Sequence, residues 1–451
     1  MTDFLANALL TDLYELTMAG SYHAQGMSGP ATFDLFIRHL PEERNFVVAA
    51  GLEPALDFLE GFHFDHEGIS YLRSLGLFGD AFLAHLAALR FTGEVWAFPE
   101  GEVVFPAEPL LRVTAPLIEA QLVETYLLAT VNFQSMVASK AARVALACAG
   151  RPFVDFSARR DHGPEAALGA ARAAYVGGAA STSNVLAGKR FGIPVAGTMA
   201  HSYVMAFEDE EAAFRAFARD FPQRSTLLID TFDTERGARR AANVARELRE
   251  EGISVSGVRI DSGELGPLAR SVRAILDEAG LRDMRIFLSG DLDEHRIAAL
   301  VRDGVPADAF GVGTQLGTSA DAPYLGGVYK LVEDTGGPKM KTSTGKVTLP
   351  GRKQVYRIDV DGRAHHDVIA LIDEPTADGR PLLERVMVSG HRVRPPEPIG
   401  TARELARRAI ARLPEALRSL EPAPAPYAVR LGPQLAELQT RLRTQLEGVP
   451  A

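Results

Sequence analysis

The chain has 451 residues, of which 46% are hydrophobic and 24% are charged, values typical of a globular protein with a large core. Its net charge of −10 argues against duplex DNA or an anionic membrane surface as a general partner. The single cysteine, Cys148, excludes an intrachain disulfide and a zinc–cysteine cluster, and its alanine-rich surroundings predict a small buried side chain. We expect a cytoplasmic protein, because residues 1–4 do not begin a leader pattern and no apolar run approaches about 18 residues.

The amino-terminal third mixes helical and strand patterns. A first helix is predicted from Thr11, as its cap, towards Gly26, with Tyr14 outside the apolar face and therefore directed at solvent or a ligand. The further predictions are a strand over 31–37, helices near 50–60 and 79–90, an antiparallel meander over 93–113, and a long helix over 116–149.

From residue 153 onward the pattern alternates between strand and helix. Strand-like runs begin near Phe153, Ile193, Thr226, Val255, Met284, Ala309 and Gly327. Seven such units in roughly 200 residues favour an α/β fold with a parallel barrel over an open sheet. We therefore predict a barrel domain over 116–349 and a split α+β domain built from 1–115 and 350–451.

The carboxyl-terminal part predicts a hairpin and two helices. The strands at 355–360 and 368–372 flank the Asp361-Gly362 turn and are expected to rejoin the early meander. A helix near 401–420 is followed by a Pro-Ala spacer and by a leucine-striped helix, which we interpret as packing against the core because it is too short for a coiled coil.

Polar residues end six of the strand-like runs, and in a parallel barrel these ends meet on one face. The segments at these ends contain Asp155, Phe156, Arg159 and Arg160; Thr198 and His201; Asp230 and Thr231; Arg259 and Asp261; Ser289, Gly290 and Asp291; and Gly311, Gly313 and Thr314. A histidine alone in a loop is most often satisfied by its neighbours. Six converging polar ends instead favour a functional role for His201.

The residue types at these ends suit a phosphorylated substrate. Small residues such as Gly290 and Gly313 let backbone N–H groups approach phosphate oxygens, although the Gly-x-Gly lacks the rest of a dinucleotide fingerprint. The arginines match a carboxylate or phosphate, or else form ion pairs with Asp155 or Asp261. The aspartates suit Mg²⁺ carried by a polyphosphate, or else cap the following helices.

A basic, glycine-containing segment follows the predicted barrel. It contains Lys339, Lys341, Lys346, Arg352 and Lys353. Such a segment is either a mobile phosphate-binding loop or a solvated run of charge. The residues by themselves thus indicate a barrel enzyme for a pyrophosphorylated substrate.

Several motifs together resemble the nicotinate phosphoribosyltransferase family. They are Thr11-Asp-Leu-Tyr-Glu-Leu-Thr-Met, Arg159-Arg-x-x-Gly-Pro, Ser183-Asn-Val-Leu-Ala-Gly, Gly197-Thr-Met-Ala-His-Ser, Arg259-Ile-Asp-Ser-Gly, Gly311-Val-Gly-Thr and Pro350-Gly-Arg-Lys-Gln-Val-Tyr. They occur in order over about four fifths of the chain and are specific as a set.

This resemblance implies the type II phosphoribosyltransferase fold, in which the parallel α/β barrel is irregular, and a homodimer with shared active sites. It also implies formation of nicotinate mononucleotide and pyrophosphate from nicotinate and phosphoribosyl pyrophosphate, within NAD biosynthesis. The reaction is expected to be coupled to ATP hydrolysis, as in a ligase, with Mg²⁺ as cofactor and without nucleic acid or membrane partners.

The resemblance also assigns roles to individual residues. His201 is expected to be catalytic and to carry a phosphoryl group, and Asp261 to serve the ribose or Mg²⁺ together with Asp291. The nicotinate-binding residues are expected to be Tyr14, Phe156, Arg159, Thr198 and Arg259, and the phosphoribosyl-binding residues Gly290, Gly313 and Thr314. Ser157-Ala158 and Asp161-His162 depart from the family pattern, which affects the detail of the ring pocket.

Three alternatives accompany this prediction. Nicotinamide or quinolinate could replace nicotinate, but His201 argues against a quinolinate enzyme and the neutral Thr182-Ser-Asn against a nicotinamide enzyme. A barrel lyase or aldolase would require a Schiff-base lysine, for which the strand-like runs offer only Lys330. A catalytically silent regulator is disfavoured by the presence of His201, Asp261 and Gly313.

Overall fold

A computed structural model describes residues 7–343, 345–375 and 379–448. The protein is a mixed α/β protein whose contacts separate two compact units. The first unit combines the described chain up to Met136 with the described chain from Tyr324 onward, and the second comprises Val137–Pro323. The domain boundaries predicted after residues 115 and 349 stay predictions. The predicted lack of a leader concerns residues 1–4, which lie outside the described residues.

The helices and strands alternate along most of the chain. Among the described residues, the helices are α1 (Leu13–Ala24), α2 (Leu52–Gly61), α3 (His66–Ser74), α4 (Asp80–Ala88), α5 (Leu117–Leu122), α6 (Glu124–Ala147), α7 (Pro164–Val176), α8 (Val185–Phe191), α9 (His201–Met205), α10 (Glu210–Asp220), α11 (Thr234–Glu250), α12 (Leu265–Glu278), α13 (Glu294–Arg302), α14 (Thr314–Gly317), α15 (Ile399–Ala411) and α16 (Pro433–Glu447). The strands are β1 (Pro30–Ile37), β2 (Val47–Val48), β3 (Glu94–Ala97), β4 (Val103–Val104), β5 (Pro109–Pro116), β6 (Phe153–Asp155), β7 (Ser181–Thr182), β8 (Thr226–Leu228), β9 (Gly257–Ile260), β10 (Arg285–Leu288), β11 (Ala309–Val312), β12 (Gly327–Asp334), β13 (Gly337–Pro338), β14 (Lys353–Val360), β15 (Arg363–Leu371), β16 (Arg380–Pro381), β17 (Glu384–Val388), β18 (His391–Arg392) and β19 (Val429–Leu431).

The second unit is built on a parallel sheet of six described strands in the order β7-β6-β11-β10-β9-β8. All of its strand pairs are parallel, and helices connect successive strands. The predicted alternation of strand and helix is therefore confirmed for β6, β8, β9, β10 and β11. The outermost strands are β7 and β8, and closure of this sheet into a barrel stays a prediction.

Two of the seven predicted parallel strands are wrong. The run at Ile193 contributes a single bridge, from Val195 to Thr182 of β7, because Pro194 has no N–H group to extend the pairing. The strand next to β6 in the parallel sheet is instead β7, Ser181–Thr182. Its two residues are polar, so the hydrophobic pattern of the sequence does not predict this strand. The run at Gly327 becomes β12, which pairs antiparallel with β1 in the first unit.

The first unit contains an antiparallel sheet in the order β13-β12-β1-β5-β3-β17-β18. The predicted meander is only partly formed, because β3 pairs with β5 whereas β4 pairs with β2. The predicted hairpin is confirmed as β14 and β15, joined through Asp361 and Gly362 in left-handed conformations with φ of +50° and +75°. This hairpin does not rejoin the meander, because β17 instead pairs with β3.

The helices of the first unit also refine the predictions. The long helix predicted over 116–149 is two helices, α5 and α6, and the helix α3 was missed. The first helix begins after Asp12 rather than Thr11, whose hydroxyl donates to Glu15 over 2.8 Å. Tyr14 is 47% exposed, which confirms that it lies off the apolar face.

Two packing predictions are confirmed. Leu435 and Leu438 of α16 are buried, so the leucine stripe packs on its own unit. Cys148 is fully buried, and burial raises the pKa of its thiol to about 12. Among the described residues, no helix is both long and apolar enough to span a membrane.

The basic segment over 339–353 is not a continuous loop of charge. Lys353 is buried in β14 and pairs with buried Asp34 over 2.8 Å, while Arg352 pairs with Glu333 over 3.1 Å. Lys341 and Lys346 are exposed, and Thr344 lies outside the described residues. Both interpretations of this segment, a mobile phosphate-binding loop and a solvated run of charge, are therefore wrong for Lys353, because β14 carries this residue into the core.

Candidate active site

The candidate site lies at the carboxyl-terminal ends of neighbouring parallel strands in the second unit. Asp155 ends β6, Arg259 lies in β9 next to Asp261, and Ser289 and Gly313 follow β10 and β11. Leu288 pairs with both Ile260 and Phe310, and Val312 pairs with Asp155. The strands β9 and β10 therefore end together, and β6 and β11 end together two residues further along, from Phe310 to Val312. Such an edge is where parallel α/β proteins place functional side chains.

Arg259 is the centre of the hydrogen-bond network. The residue is only 9% exposed, and its Nε donates to Ser289 Oγ over 2.8 Å. Its two terminal nitrogens donate to Thr198 Oγ1 over 3.0 Å and to Asp261 Oδ1 over 2.6 Å. Three of the five N–H groups of the guanidinium are thus engaged, which leaves one on each terminal nitrogen for a ligand.

Asp261 is fixed from three sides. Its Oδ1 also accepts from Ser289 Oγ over 2.6 Å, and its backbone N–H donates to Asp230 Oδ2 over 2.9 Å. The same Asp230 oxygen accepts from Ser262 Oγ over 2.6 Å, whereas the other, buried Asp230 oxygen has no hydrogen-bond partner. Because the ion pair with Arg259 uses Oδ1, the second oxygen of Asp261 is directed elsewhere.

That second oxygen faces His201. The distance from His201 Nε2 to Asp261 Oδ2 is 3.9 Å, which is too long for a hydrogen bond. His201 Nδ1 lies 3.1 Å from Thr231 Oγ1, and the imidazole is 41% exposed. The ring therefore has one nitrogen held by a hydroxyl and the other accessible.

An aromatic surface lies against the guanidinium. The Arg259 carbon Cζ is 5.3 Å from the centre of the Phe156 ring, and Phe287 lies 5.8 Å from the same ring. A Cβ on Gly311 would come within 2.7 Å of the Phe156 ring, so the absence of a side chain there gives the phenyl group its position. Phe156 is partly exposed and available to stack on a planar ligand.

One residue of each departure from the family pattern, Ser157 and Asp161, belongs to a hydrogen-bond group around Asp155. Buried Asp155 accepts from the N–H and hydroxyl of Ser157 and from Thr182 Oγ1, over 2.9, 2.6 and 2.7 Å. Ser157 Oγ is also 3.1 Å from Asp161 Oδ2, and the other Asp161 oxygen is buried without a hydrogen-bond partner. Burial, followed by the charge of Asp155, raises the pKa of Asp161 to about 6.

Replacing Asp161 with asparagine is expected to change the pH dependence of stability. Because the folded pKa is raised, the wild type loses stability as the pH rises from about 4 to about 6, and the variant does not. The unfolding free energy of the variant minus that of the wild type should be larger at pH 8 than at pH 4. We expect a difference of about 1–2 kcal/mol in unfolding free energy, reduced from the full shift because the group is only half buried.

Urea unfolding at the two pH values measures this difference. A suitable control is Asp283→Asn, since the hydrogen bond from Arg249 lowers the pKa of this exposed carboxyl and reverses the sign of the trend. An equal effect of Asp161→Asn at pH 4 and pH 8 would contradict the assignment.

The remaining predicted residues have less defined surroundings. Arg159, Asp291 and Thr314 are exposed; Gly313 precedes α14, and Gly290 adopts φ of +95° beside the Asp261 carbonyl. Tyr14 belongs to the first unit, where Glu124 accepts its hydrogen bond and where burial, then Glu124 and Glu15, raise its pKa. The second unit thus brings together His201, Arg259, Asp261, Thr198 and Phe156.

Sequence reasoning gave no roles to several supporting hydroxyl groups. Thr231 contacts His201, Ser289 bridges Arg259 to Asp261, and Thr182 contacts Asp155. Their positions at strand ends are visible in the sequence. Serine and threonine are too common at such ends, however, for type and position alone to single these out.

The chain matches two family profiles, described as the nicotinate phosphoribosyltransferase N-terminal domain, over 9–132, and the nicotinate phosphoribosyltransferase family, over 152–343. It is 50% identical to nicotinate phosphoribosyltransferase pncB2 of Mycobacterium tuberculosis, over 97% of this chain and 94% of that protein. It is 45% identical to nicotinate phosphoribosyltransferase of Bacillus subtilis, over 83% and 78% respectively. The crystal structure of human nicotinic acid phosphoribosyltransferase superposes with a TM-score of 0.87 and 32% identity, covering 96% of this chain and 99% of that one. The chain therefore belongs to the nicotinate phosphoribosyltransferase family.

Proposed function

We propose that this protein is a nicotinate phosphoribosyltransferase of NAD biosynthesis. It transfers the phosphoribosyl group of phosphoribosyl pyrophosphate to nicotinate and releases pyrophosphate. The observation that carries this proposal is the guanidinium of Arg259, held by Ser289, Thr198 and Asp261 beside an aromatic ring and an accessible histidine. Family membership supports the same reaction.

Arg259 is suited to the carboxylate of nicotinate. It keeps one unused N–H group on each terminal nitrogen, and a charge-assisted hydrogen bond contributes about 1.5–3 kcal/mol. Phe156 provides a ring on which the pyridine stacks, and Arg159 and Tyr14 are assigned to the same ligand. A nicotinamide enzyme is expected to have an acidic side chain near position 182 for the carboxamide. Thr182 instead has a neutral hydroxyl, which is already bound to Asp155. Recognition of nicotinamide at this position is therefore disfavoured.

The transfer step requires two kinds of stabilisation. The pyridine nitrogen forms a bond to the anomeric carbon while the carbon–oxygen bond to pyrophosphate breaks, and positive charge develops on the ribose. Arg259 and Phe156 orient the ring nitrogen, while Gly290, Gly313 and Thr314 offer backbone and hydroxyl donors to the phosphoribosyl group. Asp261 Oδ2 and exposed Asp291 are oxygen ligands of the type that Mg²⁺ prefers, and Mg²⁺ bound there would neutralise pyrophosphate charge.

His201 is assigned the phosphohistidine role. When its Nδ1 proton is donated to Thr231, Nε2 carries a lone pair and is accessible to the γ-phosphate of ATP. A nitrogen–phosphorus bond forms, the bond to the β-phosphate oxygen breaks, and ADP leaves. The added charge beside Asp261 then alters the affinity for the pyrophosphate-bearing substrate. Water afterwards attacks the phosphorus, the nitrogen–phosphorus bond breaks and inorganic phosphate leaves, which restores His201 and couples ATP hydrolysis to the transfer.

The lyase or aldolase alternative loses its candidate residue. Lys330 lies in β12 of the first unit, in an antiparallel sheet, and its Nζ is 3.6 Å from Glu124. The six parallel strands of the described chain contain no lysine from which a Schiff base at this edge could form. The strand-end chemistry therefore favours phosphoribosyl transfer.

A substrate comparison tests this proposal. Nicotinate, nicotinamide and quinolinate are each supplied with phosphoribosyl pyrophosphate and Mg²⁺, with and without ATP. We expect turnover with nicotinate and stimulation by ATP, whereas His201→Ala should lose the stimulation and retain binding of nicotinate. Failure of the wild type to use nicotinate with ATP present would refute the substrate assignment.

The predicted homodimer with shared sites is part of the same proposal. Tyr14 is exposed on its own unit, as expected of a side chain that contributes to the pocket of a partner subunit. Mixing His201→Ala subunits with Tyr14→Ala subunits should then restore part of the ATP-stimulated activity, since some pockets receive both native residues. Unchanged activity after mixing would show that each pocket is built from one chain. Cytoplasmic localisation stays a prediction.

A further inference from the structure

A buried ammonium group lies behind the candidate site in the second unit. Lys140 of α6 is 2% exposed, and its Nζ lies 2.5 Å from Glu294 Oε2 and 2.7 Å from Asp321 Oδ1. Glu294 is fully buried, and Asp321 is 18% exposed. One lysine therefore joins two carboxylates that are distant in the sequence.

Each carboxylate belongs to a segment that follows a strand of the parallel sheet and also contains residues of the proposed phosphoribosyl site. Glu294 is the first residue of α13, directly after the turn 289–293 that follows β10 and contains Gly290 and Asp291. Asp321 follows α14, which begins at Thr314 after β11. Because β10 and β11 are neighbours, Lys140 ties together the segments that follow two adjacent strands.

The cluster has balanced charge and further contacts. Arg143, one turn later on α6, donates from Nε to Glu294 Oε1 over 2.8 Å. Although burial acts in the opposite direction, Lys140 and Arg143 hold the pKa of Glu294 below its usual value. Two cations thus face two carboxylates, and Lys140 contacts a carboxylate in each of the two segments.

Stability alone is a weak reason for such a cluster. Desolvation of buried charges offsets much of their mutual attraction, so well-packed apolar residues often stabilise a protein as much or more. A buried ion pair does, however, define the relative position of its partners, because both charges lose their compensation when the geometry is disturbed. The contacts of Lys140 therefore define the position of segment 289–294 relative to segment 314–321.

We infer that Lys140 is a positioning residue for phosphoribosyl pyrophosphate, and this inference rests on the proposed function. By holding Glu294 and Asp321 together, Lys140 sets the spacing between Gly290 on one side and Gly313 with Thr314 on the other. Lys140 does not touch the nicotinate-binding group around Arg259. Its removal should therefore weaken phosphoribosyl pyrophosphate and leave nicotinate recognition intact.

The decisive measurement compares Lys140→Met with the wild type in steady-state kinetics. We expect the KM for phosphoribosyl pyrophosphate to rise about tenfold, as is typical of coupling between contacting residues, and the KM for nicotinate to change less than about twofold. Hydrogen exchange should accelerate in 289–294 and 314–321. Asp321→Asn, a milder change at a partly exposed position, should raise the same KM in the same direction, and keeps the test open if Lys140→Met folds poorly.

Arg240→Met is the matched control. It breaks a 2.7 Å ion pair with fully buried Glu210, which joins α10 and α11 and not the two strand-end segments. It should lower stability without a selective effect on either KM. Equal KM values for phosphoribosyl pyrophosphate in the wild type, Lys140→Met and Asp321→Asn would overturn the inference, as would the same selective increase in Arg240→Met. If the unaltered chain does not use nicotinate and phosphoribosyl pyrophosphate, the proposed function fails first and the inference falls with it.

Discussion

Replacing Arg259 with glutamine is expected to lower kcat/KM for nicotinate on the order of 100- to 1,000-fold. The change removes the two N–H groups that are proposed to bind the substrate carboxylate. It also removes the partner that fixes Asp261 Oδ1, and leaves Thr198 without the donor that now lies 3.0 Å away. The loss should therefore exceed that of a single substrate hydrogen bond.

Comparing the binding of nicotinate and nicotinamide distinguishes loss of carboxylate recognition from a general disruption of the site. Binding of nicotinamide, which has no carboxylate, should be affected less than binding of nicotinate, as measured by calorimetry on Arg259→Gln and the wild type. Arg249→Gln provides the matched control, since it breaks a surface ion pair with Asp283 in the same unit. If both ligands lost affinity equally, Arg259 would be structural and not the carboxylate-binding group.

The second large effect concerns a backbone contact. A Cβ added to Gly290 would lie 1.9 Å from the carbonyl oxygen of Asp261, and Gly290 has φ of +95°. Gly290→Ala must therefore displace the end of β9 or the turn after β10. We expect a loss of about 2–5 kcal/mol in unfolding free energy, combining left-handed strain with overpacking. Activity should fall roughly 100-fold, because Asp261 moves relative to Arg259 and His201.

Gly280→Ala isolates the steric part of this effect. Gly280 has a similar left-handed conformation, with φ of +75°, but a Cβ there meets no atom within 4 Å. It follows α12 and precedes β10, at the opposite end of the strand from Gly290. Its replacement should cost about 1–2 kcal/mol of strain and leave activity unchanged. Equal losses at the two glycines would show that the contact with Asp261 is unimportant.

The grouping of the main site residues was predictable because it depends on local pattern. Arg259 lies in β9 and Asp261 directly follows it, and such strands end at one edge when consecutive strands are parallel. His201 was expected at the same edge and lies 3.9 Å from Asp261 Oδ2, although its preceding run does not form a strand. The position of His201 after an apolar run was therefore sufficient to predict its grouping with the other site residues, even though that run does not form a strand.

Errors arose where partner choice is not local. The run of β12 has the same apolar character as the parallel strands, yet it pairs with β1 almost 300 residues earlier in the chain. Nothing in an eight-residue strand encodes which distant strand it contacts, because hydrogen bonds of the backbone are the same for every sequence. The burial of Lys353 has the same cause, since its partner Asp34 lies in β1.

The sequence by itself determined the family, the strand–helix alternation of the second unit and the identity of the groups that carry the proposed chemistry. Those features are written in residue types and short spacings. Only the tertiary structure decided that Ser289 contacts Arg259 and Thr231 contacts His201, and that Lys140 joins Glu294 to Asp321. These contacts connect residues that are 30 to 181 positions apart, counting from Arg259 to Ser289 and from Lys140 to Asp321, so only the folded chain brings them within hydrogen-bond distance.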